Sequence, residues 1–241
     1  MRPVPRRKIV LGTGLALALI VGGPLGLFLA SDNFGVVQPG KIYRSAQMSD
    51  TLLTRTIHDR SIKTVLNLRG PNPRQAWYRA ELAATLDAHA IQVDLPLATD
   101  QYLTVAQAQT VVEVLDQCDK PVLIHCQFGS ERTGLVAVFA ELLREGSTLD
   151  DARDQLSISY KFLAFKDGLV IVGHLAQYES YLNLHQWKHS AQVFRHYIAQ
   201  DYRPTGPSRD DWAFNPIPLV VIHRPDAAAT VGQLDSRSTK K

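Results

Sequence analysis

The sequence predicts an α/β domain with a central, largely parallel sheet flanked by helices. Short apolar or β-branched runs alternate with longer segments of helical spacing, the order that parallel strands joined by crossover helices produce. The composition is that of a globular protein with one sizeable core: 241 residues, 45% hydrophobic and 20% charged. One run, "VLIHCQFGSERTG" from Val122 to Gly134, passes from an apolar strand through a Gly-Ser loop into helical spacing. That is the kind of junction at which open α/β sheets bind ligands.

The elements follow in order. "SDNFGVVQPG" reads as a linker with a turn at Pro39-Gly40. "KIYRSA" is a short strand and "TLLTRTIHDRS" a short helix. "KTVLNLR", Lys63 to Arg69, is a buried strand stopped by "GPNP", and the alanine-rich stretch from Arg74 to Ala90 is helical. In "IQVDLPL" the residues Ile91, Val93, Leu95 and Leu97 share one face, as in a strand. Thr104 with Gln107 makes a capping box that opens a helix running to Cys118. "PVLIHC" is the next strand. Glu131 to Arg144 is a helix with Leu135, Val138, Phe139 and Leu142 at core spacing and Gly146 as its C-cap. Ser147 or Thr148 caps a further helix, and a longer one covers Gly173 to Gln200 with a break near Leu184. "AFNPIPLVVIHRP" can pack back on the domain, and the last ~15 residues have a disordered composition. The chain thus divides into an N-terminal segment 1–30, a domain 31–203 and a C-terminal extension 204–241.

The formal charge of +3 is a property of the N-terminus. Arg2, Arg6, Arg7 and Lys8 precede any acid, and without those four, 22 basic residues face 23 acidic ones. The domain therefore offers no argument for nucleic acid as a partner, which requires a basic face on the fold. The basic residues are followed by Ile9 to Ala30, which carry no charge. At about 1.5 Å per residue this run can cross a hydrocarbon core of roughly 30 Å. It reads as an N-terminal transmembrane helix. The rival is a cleaved signal peptide, disfavoured by bulky Phe28 at −3 of the Ala30 site and by Pro24 after the Gly23 site. In both cases the positive residues stay cytoplasmic and the rest of the chain is exported. The domain is then held on the extracytoplasmic side by a single-pass anchor, or secreted or periplasmic if cleaved. Cys118 and Cys126 are the only cysteines. An oxidising compartment permits a disulfide between them, but no Cys/His set has zinc spacing.

Cys126 ends an apolar strand just before a helix. Backbone N–H groups from Gln127 to Arg132, including those of Phe128, Gly129, Ser130 and Glu131, can converge there on one point at a helix N-terminus. Such a point suits an anion and lowers a thiol's pKa. Gly129 permits a turn closed to residues with a Cβ. Arg132, six residues after the cysteine, can grip two oxygens with its planar fork. A nucleophile beneath a tetrahedral oxyanion site suits phosphoryl transfer to sulfur.

His125-Cys126, five residues and Arg132-Thr133, with glycine third among the five, resembles the signature loop of the cysteine-dependent protein tyrosine phosphatase superfamily. "GKIYRSAQMS" and "IKTVLNLRG" resemble its compact dual-specificity branch, particularly bacterial and Siw14-like members, over roughly residues 34 to 165. The resemblance implies a phosphatase that needs no cofactor or metal, with phosphoprotein, phosphoinositide or inositol phosphate as substrate. It implies Cys126 as nucleophile, Arg132 as phosphate ligand, Thr133 as stabiliser of the thiolate, and His125 as a residue that orders the loop. The family's general acid is a loop aspartate, and "LPLATD" resembles the segment that ends in it, at Asp100. Asp94 is the alternative, but it lies about six residues back along the strand, roughly 20 Å from the same edge.

Other residues carry weaker signals. Arg69 ends a strand at the same expected edge and can meet substrate or hold a loop. Tyr43 and Arg44 read as packing. Lys161 and Lys166 can rim the pocket, and Cys118 ends a helix. Glu131 departs from the tyrosine-specific loops; an acid at the rim disfavours very highly phosphorylated ligands, while some lipid- or inositol-directed relatives of the family it resembles carry acids there too. Two other functions fit the loop: a phosphate-binding pseudophosphatase, separated by p-nitrophenyl phosphate turnover, and a rhodanese-like sulfurtransferase, separated by thiosulfate:cyanide activity.

Overall fold

A computed structural model describes residues 31–208 and 220–226. The expected anchor at 1–30 and the disordered composition of the last residues lie outside the described residues. Among the described residues no helix is long and apolar enough to cross a membrane.

Among the described residues six strands form one sheet: β1 (Gly35–Gln38), β2 (Ile42–Ser45), β3 (Thr64–Asn67), β4 (Ile91–Asp94), β5 (Val122–His125) and β6 (Val221–His223), in the order β1-β2-β5-β3-β4-β6. The inner four are parallel, and β1 and β6 are antiparallel edges. Between the strands run α1 (Asp50–Arg60), α2 (Ala76–Asp87) and α3 (Val105–Gln117). After β5 come α4 (Glu131–Leu142), α5 (Leu149–Asp154), α6 (Asp167–His185) and α7 (Ala191–His196).

Alternation along each strand sends neighbouring side chains to opposite faces. Val65 and Leu123 pack with Leu53 and Ile57 of α1 and Ala84 of α2. Leu66, Val93 and Ile124 pack on the larger core built by α3, α4, α6 and α7. Every residue of α4 from Thr133 to Leu142 is buried, because the helix lies between the sheet and other helices rather than on the surface. The capping box at Thr104 and Gln107 is present, and Thr148 makes a second one at the start of α5.

Register decides what meets what. Ser45 and Asn67 both lie opposite His125, and Asn67 also lies opposite Asp94. The parallel strands therefore end in one row, and the residues that follow them emerge at one edge: Ala46 and Gln47, Leu68 and Arg69, Leu95 to Asp100, and Cys126.

Several expectations are corrected. "GVVQ" is the edge strand β1, not linker, and Pro39-Gly40 is the turn of a hairpin with β2. Strand pairing in "IQVDLPL" stops at Asp94, because Pro96 has no N–H to give; Leu95 N and Leu97 N instead donate to Asn67 O (3.0 Å) and Leu68 O (3.3 Å). Leu143, not Gly146, caps α4. The long helix begins at Asp167 rather than Gly173, which lies inside it and packs so closely on Tyr102 that a Cβ there would sit 2.0 Å from the hydroxyl. It breaks at Gln186, in the left-handed conformation at φ 55°. The disulfide that an oxidising compartment would permit is not formed. Cys118 and Cys126 are free thiols at opposite ends of β5, and about 13 Å of strand separates them where a disulfide needs Cα atoms about 6 Å apart.

The C-terminal extension contributes β6, whose Val221 lies opposite Asp94. Asp94 is fully buried. It accepts hydrogen bonds from Asn67 Nδ2 (2.8 Å), Gln92 Nε2 (3.1 Å) and the Tyr78 hydroxyl (2.5 Å), and lies 3.2 Å from His223 Nε2. Asp94→Ala would strand these buried donors, each at about 1–3 kcal/mol. It should cost at least about 3 kcal/mol in urea unfolding, whereas exposed Asp100→Asn should unfold like the wild type; equal midpoints for the two would show that the network carries no stability.

Candidate active site

Cys126 leaves β5 with only 2% of its surface exposed. The loop after it is held from outside. Gln127 O accepts from Gln47 N (3.2 Å) and Phe128 O from Asn33 Nδ2 (3.0 Å). Gly129 O accepts from both Asn33 Nδ2 (3.0 Å) and Arg44 Nη2 (2.8 Å). Across a trans peptide the C=O and the following N–H point opposite ways. Turning three successive carbonyls outward therefore turns the N–H groups of Phe128, Gly129 and Ser130 inward. Gly129 makes this possible, at φ +67° and so close to the exit of β2 that a Cβ would lie 2.6 Å from Ala46 N and Ser45 O. Ser130 Oγ donates to Lys161 O (3.0 Å), fastening the loop to the 158–161 turn.

Arg44 and Asn33 make the outer brace. Arg44 is fully buried, donates from Nη1 to Gln155 O (2.6 Å) and Oε1 (3.1 Å), and stacks on Tyr160 at 3.9 Å. Burial lowers its pKa to about 10, against the opposing fields of Tyr160 and Cys126. Reading Arg44 as packing agrees with this geometry. Asn33 also donates to Tyr160 O (2.8 Å).

Burial alone would raise the Cys126 pKa, but the charge of Arg132, the Thr133 hydroxyl and the N–H groups of Thr133 and Phe128 outweigh it and hold the thiol below its ordinary value. Arg132 lies in the first turn of α4 and donates from Nη1 to Leu68 O at 3.4 Å; its Nε is buried with no hydrogen-bond partner among the described residues. A guanidinium so placed has donors left for an oxyanion. Thr133 is fully buried beneath the thiol.

A second layer lies behind. His125 Nε2 is 3.3 Å from Glu81 Oε1, and both side chains are buried. Burial pushes the imidazole down, yet Glu81 and Cys126 together raise it above its ordinary value. Gln47 Nε2 donates to the other Glu81 oxygen and Gln47 Oε1 accepts from Arg69 Nη1 (3.0 Å). Arg69 stacks on Trp77 at 3.5 Å. Its pKa is lowered by burial and then by the like charge of Arg132. Arg69 thus holds a loop and adds cationic charge to the site.

Asp100 is exposed on the segment that leaves β4 at this edge, beside Thr99, whose hydroxyl donates to Asp167 Oδ2 (3.2 Å) at the start of α6. Asp94 is enclosed in its own network, so of the two aspartates only Asp100 is open to a substrate. Gln127 and Phe128 are exposed at the mouth, and Glu131 is half-buried in the first turn of α4. Lys161 lends its carbonyl to Ser130, and Lys166 lies 5.7 Å from the Phe165 ring. Tyr43 packs against Phe34 at 5.8 Å. Cys118 lies at the far end of β5, its thiol pushed up by burial to about 12.

The strand, the cradle and the arginine coincide with a family match over residues 22–146, more than half of the chain. The chain belongs to the tyrosine phosphatase family. Among solved structures, P. aeruginosa TpbA is similar with a TM-score of 0.50 and 19% identity, over 69% of this chain and 91% of that one. The core catalytic domain of the PP-IP phosphatase SIW14 from S. cerevisiae, in complex with citrate, gives a TM-score of 0.47 and 20% identity, over 62% and 94%. At 19% identity the likeness to TpbA is one of fold. No curated protein sequence matches the chain.

For this family member the sequence analysis missed Asn33, Gln47 and Glu81. Glu81 left one signal: it shares the α2 face of Tyr78, Ala84 and Thr85, all buried. Asn33 and Gln47 left none, because both act through contacts distant in the chain.

A thiol held below its ordinary pKa is thiolate above that pKa and loses reactivity as pH falls through it. Alkylation of Cys126 by iodoacetamide should therefore reach half its plateau below the ~8.5 of a free cysteine. Glu81→Gln removes the charge that raises the His125 pKa, and the Cys126 curve should move to higher pH. A curve unchanged by Glu81→Gln would remove His125 and Glu81 from the electrostatics of the thiol.

Proposed function

We propose that the protein is a phosphomonoester hydrolase acting through a phosphocysteine intermediate. The observation that carries this reading is the Cys126 thiol, held below its ordinary pKa beneath inward-facing N–H groups and beside Arg132. In the first step the thiolate attacks phosphorus and the bond to the leaving oxygen breaks. Arg132 and the loop N–H groups of residues 127–132 bind the non-bridging oxygens, and Asp100 gives its proton to the leaving oxygen. In the second step water attacks the phosphocysteine and Asp100 takes a proton from it. Phosphate leaves, and the Thr133 hydroxyl stabilises the departing thiolate. Phosphotyrosyl protein, phosphoinositide and inositol phosphate share the phosphomonoester group, and a turnover panel of the three assigns the class. Glu131 at the rim argues against the most highly phosphorylated of them.

Cys126→Ser should abolish turnover and retain vanadate binding, because the backbone cradle survives. Arg132→Lys should lose about 10²–10³-fold, the scale of one oxyanion donor, since an ammonium cannot reproduce the planar grip. Asp100→Asn should slow alkyl and tyrosyl phosphates by about 10²–10⁴-fold, p-nitrophenyl phosphate far less, and flatten the basic limb of the pH–rate profile. Equal small losses on every substrate would assign the proton to another residue.

The charge distribution supports a second part of the reading: residues 1–30 anchor the domain to the membrane from its extracytoplasmic side. A reporter active only outside the cytoplasm, fused after Arg203, should be active, and activity confined to a cytoplasmic reporter would overturn the orientation. A mature N-terminus near Ser31 would replace the anchor with a cleaved signal.

A further inference from the structure

We propose that Tyr102 is a positioning residue for Asp100: its ring, wedged between α6 and the start of the C-terminal extension, sets where the acid-bearing segment stands. The inference rests on the reading of Asp100 as the general acid, and it adds the part of the chain that holds that acid in place.

Asp100 is exposed, and its carboxyl has no hydrogen bond or ion pair among the described residues. Its position is therefore that of its backbone. The segment is fastened before it, where Leu97 N donates to Leu68 O (3.3 Å), and after it, where Tyr102 N donates to Pro207 O (2.8 Å). Tyr102 is two residues beyond Asp100, so the second fastening lies within about 7 Å of it. The next residue is bound on both sides: Leu103 N donates to His174 Nε2 (3.0 Å), and Leu103 O accepts from the Tyr202 hydroxyl (2.7 Å). Burial pushes the pKa of His174 down to about 4, so it stays a neutral acceptor. Ahead of Asp100, the Thr99 hydroxyl donates to Asp167 Oδ2 (3.2 Å). Asp167 and His174 stand about 10 Å apart along α6, so that helix braces the segment on both sides of Asp100.

The fit around the Tyr102 ring leaves no room. A Cβ at Gly173 would sit 2.0 Å from its hydroxyl, and one at Gly206 would sit 2.6 Å from its Cε2. The ring also leans on that of His174, with centroids 4.7 Å apart. Neither glycine has a positive φ, so the backbone does not require glycine at either place. Gly173 stands inside a helix against its propensity, and what it gives is space for Tyr102. A proton donor must come within about 2.6–3.2 Å of the leaving oxygen, and a misplacement of about 1 Å can cost about 10²-fold. The Cys126 loop is braced separately, through Asn33, Arg44 and Gln47. Displacing Tyr102 therefore moves the acid and leaves the nucleophile where it is.

The test is Gly173→Ala in the full chain. Alanine favours the helix, so α6 is kept while the new methyl pushes the ring aside. Turnover of phenyl phosphate, whose leaving oxygen is basic, should fall about 10²-fold, and that of p-nitrophenyl phosphate far less. The basic limb of the pH–rate profile on phenyl phosphate should flatten. Added to Asp100→Asn, Gly173→Ala should cost nothing further, because both act on one proton transfer. Unchanged turnover of phenyl phosphate, equal losses on the two substrates, or a further loss in the Asp100→Asn background would each overturn the inference. If Asp100→Asn is selective for phenyl phosphate and Gly173→Ala is not, the inference alone fails. If Asp100→Asn is itself not selective, the assignment of the acid fails and the inference falls with it. Gly206→Ala, which meets the ring from the extension, takes the place of Gly173→Ala if that variant does not fold.

Discussion

Everything at the site rests on where the loop carbonyls point. A loop of five residues between a strand and a helix has no intrinsic reason to present its N–H groups to one centre. Here the carbonyls of Gln127, Phe128 and Gly129 are each drawn outward by a donor from another part of the chain: Gln47 N, Asn33 Nδ2 and Arg44 Nη2. The inward cradle is the consequence of that outward bracing. Arg44 can do this only while fully buried, and its guanidinium is shared with Gln155 and stacked on Tyr160. The same contacts tie the segment before β1, the end of β2 and the 155–161 region to the loop. The fold and the cradle are therefore one structure.

Electrostatics is layered on that geometry. The thiol is buried, which by itself favours the neutral form, and Arg132, Thr133 and two N–H groups reverse the balance. His125 follows the same logic: burial opposes its charge, and Glu81 on α2 supports it. Gln47 then links Glu81 to Arg69, so the charge behind the thiol and the charge at the mouth belong to one hydrogen-bonded chain. Each ionic group near Cys126 is held by a neutral or opposite partner. This keeps a site with two arginines from repelling itself apart, although Arg69 still registers the nearby charge of Arg132.

Asp94 and Asp100 show why strand register matters to chemistry. They are six residues apart on one segment, yet Asp94 lies opposite Asn67 within the sheet and is closed off by Tyr78, Gln92 and His223. Asp100 is past the last paired residue and open to solvent. The buried carboxylate locks the C-terminal extension to β4. The exposed one remains available to a substrate.

Local chemistry alone determined much of this protein. Alternating apolar runs, capping boxes at Thr104 and Thr148, and Pro-Gly punctuation report elements because strands and helices are built from neighbouring residues. The Cys126 loop is equally legible, since its nucleophile, its turn glycine and its arginine lie within seven consecutive residues. Tertiary structure decided what depends on residues far apart: that "GVVQ" is a strand, because β2 is there to pair with it, and that Val221 to His223 close the other edge. It also decided that Glu81, which sits in an alanine-rich helix, faces His125 and not water. Asn33 and Arg44 brace the loop across about 85 to 96 positions of chain, a span over which no spacing rule operates, because only the packed sheet brings such residues within reach of one another.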